Sequence, residues 1–295
     1  MTNLGNKKRQ FWAGTGLFYA AAIWGATFFL VKATLTDIDP VILVGYRFLL
    51  AGLLLLVFLF VTKRSPWADF KSGLILAILL WLLYIPQTIG LKYTTASNSG
   101  FITGLFVAFV PLFLYLVFRQ RPTRLEVTAS AVALGGLWIL TGGLVDINPG
   151  DMLTMVAAVT YALHILFIDK YLKAGADPFV ISCQQFLIVG ILSLLTGAIF
   201  DLPFGVKSAA AIRTVIFLAL FPTLSAFIIQ VIAQKIVTPL RVSLIFSFEP
   251  VFAAMFAWTI GGEDMVLRRA LGGLLIVAAL AISGLPSRPL GSRRE

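Results

Sequence analysis

The sequence predicts an all-α integral membrane protein whose ten transmembrane helices form two inverted five-helix repeats. Three observations carry this prediction. The chain is 59% hydrophobic and only 12% charged, well below the ~25% charge of a soluble domain, and its mean hydropathy is +0.97. Its apolar residues lie in long runs, not in the roughly 10-residue alternating segments of an outer-membrane barrel. A series of landmarks also recurs, in the same order, in the two halves of the chain.

The apolar runs place spans at 11–35, 40–61, 70–91, 95–118, 126–144, 151–170, 179–200, 212–235, 239–260 and 268–286. Each approaches the ~20 residues that cross a bilayer. Breakers separate them: Asp39-Pro40, Ser65-Pro66, Asn148-Pro149-Gly150, Asp177-Pro178 and Thr238-Pro239. The eighth and ninth runs are the least clearly parted. Residues 1–10 form an N-terminal segment, 11–144 the first repeat, 151–286 the second, and 287–295 a basic tail. Lys7, Lys8 and Arg9 precede a first run long enough to remain as an anchor, not a cleaved signal.

Lys and Arg alternate in abundance between successive connections. One side holds Lys7, Lys8, Arg9, Lys63, Arg64, Lys71, Arg119, Arg121, Arg124, Lys170, Lys173, Lys235, Arg241, Arg288, Arg293 and Arg294; the other holds Lys32, Lys92, Lys207, Arg213, Arg268 and Arg269. The positive-inside rule makes the richer side cytoplasmic. An even number of spans then puts both termini in the cytoplasm, in a multi-pass protein of the inner (plasma) membrane.

The repeat is read from landmarks. Trp24-Gly25-Ala26-Thr27-Phe28 is echoed by Tyr161-Ala162-Leu163-His164-Ile165, and Asp39-Pro40 by Asp177-Pro178. Arg47 and Gln185 follow at the same offset from each proline. Pro111 and Pro250 lie in the fourth helix of each half, and Gly135-Gly136 and Gly272-Gly273 in the fifth. Five spans per half invert the second half relative to the first, the arrangement of alternating-access carriers, with the site near the midplane.

Composition excludes several functions. The net charge of +10 follows from topology, and no nucleic-acid reading motif accompanies it. Cys183 and His164 are the only residues of their kinds, which argues against disulfides, zinc or haem. No P-loop or dinucleotide turn is present, so neither ATP nor another cofactor is expected.

Candidate site residues are the polar and aromatic groups within the spans, because such groups face protein or a cavity and not lipid. Glu249 is foremost. An acid at that depth costs on the order of 3 kcal/mol, and Pro250 weakens the helix beside it. Coupling to a proton or cation, or holding a helix kink, both fit it. Arg47 suits a substrate carboxylate or a structural bond to backbone, and Gln185 the latter. Tyr84 and Gln87 share a stripe with Trp81, with Pro86 between them, and Asn98 and Phe101 share another. Either a pocket or interhelical bonding would explain these stripes. Trp24, Tyr161 and His164 occupy related places in the two halves, and Gln230 lies one span before Glu249. The glycine pairs suit close helix packing or a homodimer contact.

In order, Trp24-Gly25-Ala26-Thr27, Arg47-Phe48, Thr94 to Phe101 running on to Pro111-Leu112, Glu249-Pro250-Val251-Phe252, Gly262-Glu263 and Leu271 to Ile276 resemble the drug/metabolite transporter superfamily. Within it, the likeness is to the EamA-like ten-helix exporters, over about residues 12–286. The sequence departs from that pattern after the fourth span, where Phe118-Arg119-Gln120-Arg121-Pro122 replaces a common Gly-Glu. The resemblance implies a secondary transporter, not an enzyme. Its substrate would be a small polar or amphipathic metabolite, an amino acid or related compound, or a drug. A membrane-embedded enzyme and a passive channel are the rival classes. The first usually needs clustered His, Asp or Cys, the second a continuous polar lining.

Overall fold

The computed structural model describes residues 3–143, 148–259, 267–283 and 285. Gly262-Glu263 and the tail 287–295 therefore lie outside the described residues. Within them every regular element is helical. The helices are α1 (Asn3–Thr34), α2 (Pro40–Val61), α3 (Phe70–Gly90), α4 (Ala96–Gly104), α5 (Phe106–Leu116), α6 (Arg124–Thr141), α7 (Pro149–Lys173), α8 (Pro178–Ile199), α9 (Ala209–Leu218), α10 (Ala226–Ala233), α11 (Pro239–Phe246), α12 (Glu249–Thr259) and α13 (Leu267–Ser283). A π-helical segment, Ala219–Ser225, joins α9 to α10.

Three of the breakers, at Asp39, Asn148 and Asp177, act as side-chain helix caps. Asp39 accepts a hydrogen bond from the Val41 backbone N–H at 2.9 Å, and Pro40 occupies the first turn of α2. Asp177 accepts from the Phe179 N–H at 2.8 Å ahead of Pro178 in α8. A side-chain acceptor followed by proline satisfies one orphan N–H and removes another. Thr123–Glu126 and Asn148–Asp151 close reciprocal capping boxes on α6 and α7.

Three of the apolar runs are not single α-helices. The fourth divides at Leu105 into α4 and α5. The eighth widens into the π segment at Pro222, whose missing N–H and ring bulk disrupt regular α-helical bonding. The ninth divides at Ser247 and Phe248, immediately before Glu249-Pro250. By contrast α3 continues through Pro86. Among the described residues, eight helical stretches are long and apolar enough to cross a membrane. The two pieces of the ninth run have 8 and 11 residues, and Ala270–Ser283 is a shorter apolar helix.

Packing follows the internal repeat. The second helices of the two halves, α2 and α8, lie against each other, as do the fifth, α6 and α13. The contact of α3 with α7 is mirrored by that of α10 with α1, and the contact of α4 and α5 with α7 by that of α11 and α12 with α1. Glycine makes the α6–α13 crossing possible: a Cβ on Gly136 would lie 2.8 Å from the Gly272 carbonyl oxygen, and one on Gly272 would lie 2.6 Å from that of Gly136. Gly136 and Gly272, one glycine of each pair, thus meet inside one chain.

The centre is aromatic. Trp24, Phe48, Tyr84, Phe106, Tyr161, Phe186, Phe227 and Phe246 belong to one buried cluster. Leu53, Val57, Phe60 and Val61 of α2 and Leu271, Leu274 and Val277 of α13 are exposed, as a lipid-facing surface requires. At one end of the bundle Lys32 donates to the Leu91 carbonyl at 3.0 Å, Lys92 pairs with Asp39 at 3.5 Å, and Lys207 donates to the Thr36 carbonyl at 3.4 Å. At the other end Arg64 pairs with Asp177, and Lys173 with Asp169 at 2.7 Å. These five members of the two basic sets thus lie at opposite ends of the bundle.

Candidate functional site

A cavity lies where helices of the two halves meet. Its lining comes from α1 (Trp24, Thr27, Phe28, Val31), α2 (Arg47), α3 (Leu83, Tyr84, Gln87, Thr88), α4 (Thr103), α7 (Tyr161), α10 (Phe227) and the start of α12 (Glu249), with Leu91 just beyond α3. Its empty volume, mouth included, is ≈ 520 Å³. It runs from the aromatic centre toward the end that carries Lys32 and Lys92. There Lys32, next to Val31, holds the Leu91 and Thr94 carbonyls.

Trp24 fixes one wall. Its indole N–H donates to the Pro222 carbonyl at 2.7 Å, and its ring lies 4.9 Å from Phe246 and 5.0 Å from Phe227, centre to centre. Gly25, next to it, lets α1 approach the break in the ninth run. A Cβ there would come within 2.5 Å of the Glu249 carbonyl oxygen.

Glu249 opens α12, where the helix dipole favours a carboxylate. It is 6% exposed and interacts with Tyr161, and its Oε1 has no hydrogen-bond partner among the described residues. Arg47, 3% exposed, donates from Nε to the Thr223 hydroxyl at 2.9 Å. Its guanidinium carbon lies 4.8 Å from the centre of the Tyr84 ring, and Nη2 has no partner among the described residues. Tyr84 is in electrostatic contact with both Arg47 and Glu249. No ion pair joins Arg47 to Glu249 among the described residues. Gln87 donates to the Thr103 hydroxyl at 2.8 Å, closing the wall between α3 and α4.

The cavity brings together Trp24, Tyr84, Gln87, Tyr161, Glu249 and Arg47. It does not include the other candidates. His164 bonds Gln185 at 2.8 Å, both fully buried. Gln230 donates to Gln234 at 3.0 Å, and Gln234 in turn to the Ile165 carbonyl. Phe101 packs in a separate cluster with Ile102 and Leu137, its ring against Trp138. Asn98 sits in the first turn of α4, its backbone N–H bonded to Thr95. Pro250 follows Glu249 into α12 without lining the cavity. Trp81, though on the stripe of Tyr84 and Gln87, packs against the core. The sequence reading missed Thr27, Phe28, Thr103 and Phe227 on the lining, and Thr223 as the partner of Arg47. The adjacent Pro222 was the one signal that marked Thr223.

No group of three or more His, Cys, Asp or Glu side chains able to hold a metal ion occurs among the described residues. What the cavity offers is an aromatic lining with one buried guanidinium and one buried carboxyl group.

Comparison with known proteins agrees with this architecture. The model of the EamA-like transporter family matches residues 11–142 and again 148–285. An uncharacterized transporter of Archaeoglobus fulgidus is 31% identical over 94% of this chain and 87% of its own length. The uncharacterized inner membrane transporter YedA of Escherichia coli K12 is 26% identical over 93% of this chain and 92% of its own. A solved structure titled only "Crystal structure of protein" superposes with a TM-score of 0.76 over 92% of this chain and 96% of that one, at 19% identity, a likeness of fold. With both halves matched and a relative this similar along nearly its whole length, the chain belongs to the EamA-like transporter family and is a multi-pass membrane transporter.

Proposed function

We propose that this chain is a secondary transporter that moves a small polar or amphipathic metabolite or drug, outward from the cell, by alternating access. In this reading ten helices form two inverted five-helix repeats in the inner membrane, with both termini cytoplasmic. The α4–α5 and α11–α12 pairs then count as the fourth and ninth spans. The observation that carries the proposal is the position of the cavity. It lies between pseudo-equivalent helices of the two halves, with buried Arg47 and Glu249 on its wall. Charged groups at membrane depth are costly and mark transport pathways. Relative movement of the halves about such a site is how repeat-built carriers work.

Purified protein in liposomes tests the reading. Saturable, competable solute flux is expected. Conversion of a solute to a new compound would instead mean a membrane enzyme, and non-saturating flux a channel. Either outcome would end the proposal.

A further inference from the structure

Counterpart residues of the two halves meet at the floor of the cavity. The rings of Trp24 and Tyr161 lie 6.3 Å apart, centre to centre, and those of Tyr84 and Phe227 6.1 Å. The first pair is a landmark of the repeat. The second follows from a closer match. Tyr84-Ile85-Pro86-Gln87, running on to Lys92 and Thr95, corresponds at one constant offset to Phe227-Ile228-Ile229-Gln230, running on to Lys235 and Thr238. Thr95 and Thr238 are the N-cap residues of α4 and α11, so the register holds in the fold as well. Residues that face their own counterparts mark the two-fold relation between the halves.

From this floor the halves run to opposite ends. One turn on toward Lys32 and Lys92, Thr27 and Gln87 line the cavity, together with Phe28, Leu91 and, from α2, Arg47. One turn on toward Lys173 stand the counterparts: His164 for Thr27, Gln230 for Gln87, Ile165 for Phe28, Gln234 for Leu91 and Gln185 for Arg47. This second set is closed. His164, Gln185 and Gln230 are 0% exposed and Gln234 3%. His164 bonds Gln185, Gln230 bonds Gln234, and Gln234 donates to the Ile165 carbonyl at 2.9 Å. Nδ1 of His164, Nε2 of Gln185 and Oε1 of Gln230 have no partner among the described residues. A buried polar layer left partly unpaired is costly, and water or a solute would complete it.

Resting on the carrier reading, we infer that His164, Gln185, Gln230 and Gln234 are a second solute-contacting layer, the polar lining of the cavity that faces the other end. When the halves exchange their arrangements, the bond from Gln234 to Ile165 opens and the layer meets water and solute. The counterpart of Arg47 is Gln185, and that of Glu249, in the register of Thr95 and Thr238, is Phe106. What the layer itself adds is therefore hydrogen bonding without fixed charge. The solute group it takes is a neutral donor or acceptor, such as a hydroxyl or an amide.

Single thiols on the full chain in membrane vesicles test this. Wild-type Cys183, fully buried and directed at the Gly52 carbonyl, is the reference. In a Cys183→Ala background, Gln230→Cys lies in the layer, and Ile168→Cys lies at the counterpart of the lining residue Val31. A membrane-impermeant methanethiosulfonate is applied to each face in turn. Labelling samples even a state populated at ~0.1–10%, so both thiols should react at least about 10-fold faster than Cys183. They should do so from the face that labels Arg64→Cys and not from the face that labels Lys92→Cys. A layer that only ties helices together would stay as slow as Cys183. Ile168→Cys removes only apolar bulk and decides alone should Gln230→Cys fold poorly. Rates no faster than that of Cys183, or labelling from the Lys92 face, overturn the inference. If the unsubstituted chain then still gives saturable flux in liposomes, the carrier reading stands and its path runs elsewhere. If it gives none, both fall.

Discussion

The indole N–H of Trp24 donates to the carbonyl of Pro222 across 198 positions of sequence, at 2.7 Å. This bond ties the first helix of one repeat to the π-helical segment of the other, at a carbonyl within a disrupted stretch of helix. Trp24→Phe keeps most of the ring contacts and breaks the bond. The apparent thermal stability in detergent should fall by about 1–2 kcal/mol, the cost of a lost buried hydrogen bond. Trp24→Ala, which also removes the packing with Phe227 and Phe246, should cost about 3–5 kcal/mol. Equal losses in the two variants would mean that the bond, not the ring, carries the contact.

Gly25 and Gly14 lie on the same helix in opposite surroundings. A Cβ on Gly25 would stand 2.5 Å from a backbone oxygen of Glu249, whereas one on Gly14 would meet nothing within 4 Å. Gly25→Ala is therefore expected to destabilise by about 1–3 kcal/mol and to depress solute flux by displacing Glu249. Gly14→Ala should be neutral or stabilising, by up to about 1 kcal/mol, through helix propensity. Thermal unfolding and flux measured on the pair check this, and a harmless Gly25→Ala would remove close approach as the reason for glycine.

His164 Nε2 and Gln185 Oε1 bond each other in the core. His164→Phe strands the Gln185 side chain and should cost about 1–3 kcal/mol. Adding Gln185→Leu should recover part of that loss, because the two residues are directly coupled. The double variant should retain the transport pH profile of the wild type, since neither residue lines the cavity. A profile displaced in the double variant would place His164 in the coupling machinery.

The arrangement of the ends can be tested chemically. In a Cys183→Ala background, Lys92→Cys and Arg64→Cys place thiols at opposite ends of the bundle. A membrane-impermeant maleimide applied to intact cells should label the first, and the second only after permeabilisation. A reporter fused after Glu295 should be active only if it is a type that works in the cytoplasm. The reverse labelling would invert the topology proposed above.

The helical runs were legible because hydropathy and capping chemistry agree: Asp39-Pro40 and Asp177-Pro178 announce α2 and α8 with a side-chain cap followed by proline. The interruptions were less legible. The break at Leu105 has no proline on it and follows from how α4 and α5 pack, which local propensity does not encode. Within the cavity, Glu249, Arg47, Tyr84, Gln87, Trp24 and Tyr161 stood out because polar or large amphipathic groups in apolar runs are conspicuous. Phe227 and Thr103 did not, since a phenylalanine or threonine is ordinary in a membrane helix. The equivalent offsets of Arg47 and Gln185 suggested equivalent roles, yet the two bond different neighbours: Thr223 on another element for Arg47, and His164 for Gln185. Sequence position carried the ancestry of the pair but not its divergence.

The crossing of α6 and α13 has a further meaning. Gly136 of one half rests on Gly272 of the other: a Cβ added to the first would stand 2.8 Å from the second's carbonyl oxygen, and one added to the second 2.6 Å from the first's. Reciprocity of this kind is the mark of an isologous contact, in which the same patch is used on both partners. A single five-helix unit carrying one such pair would already possess a surface complementary to its own copy. The tandem chain reads as a two-fold dimer made covalent, and fusion freed each half to change independently. Arg47 and Gln185, alike in position and now unlike in surroundings, record that freedom.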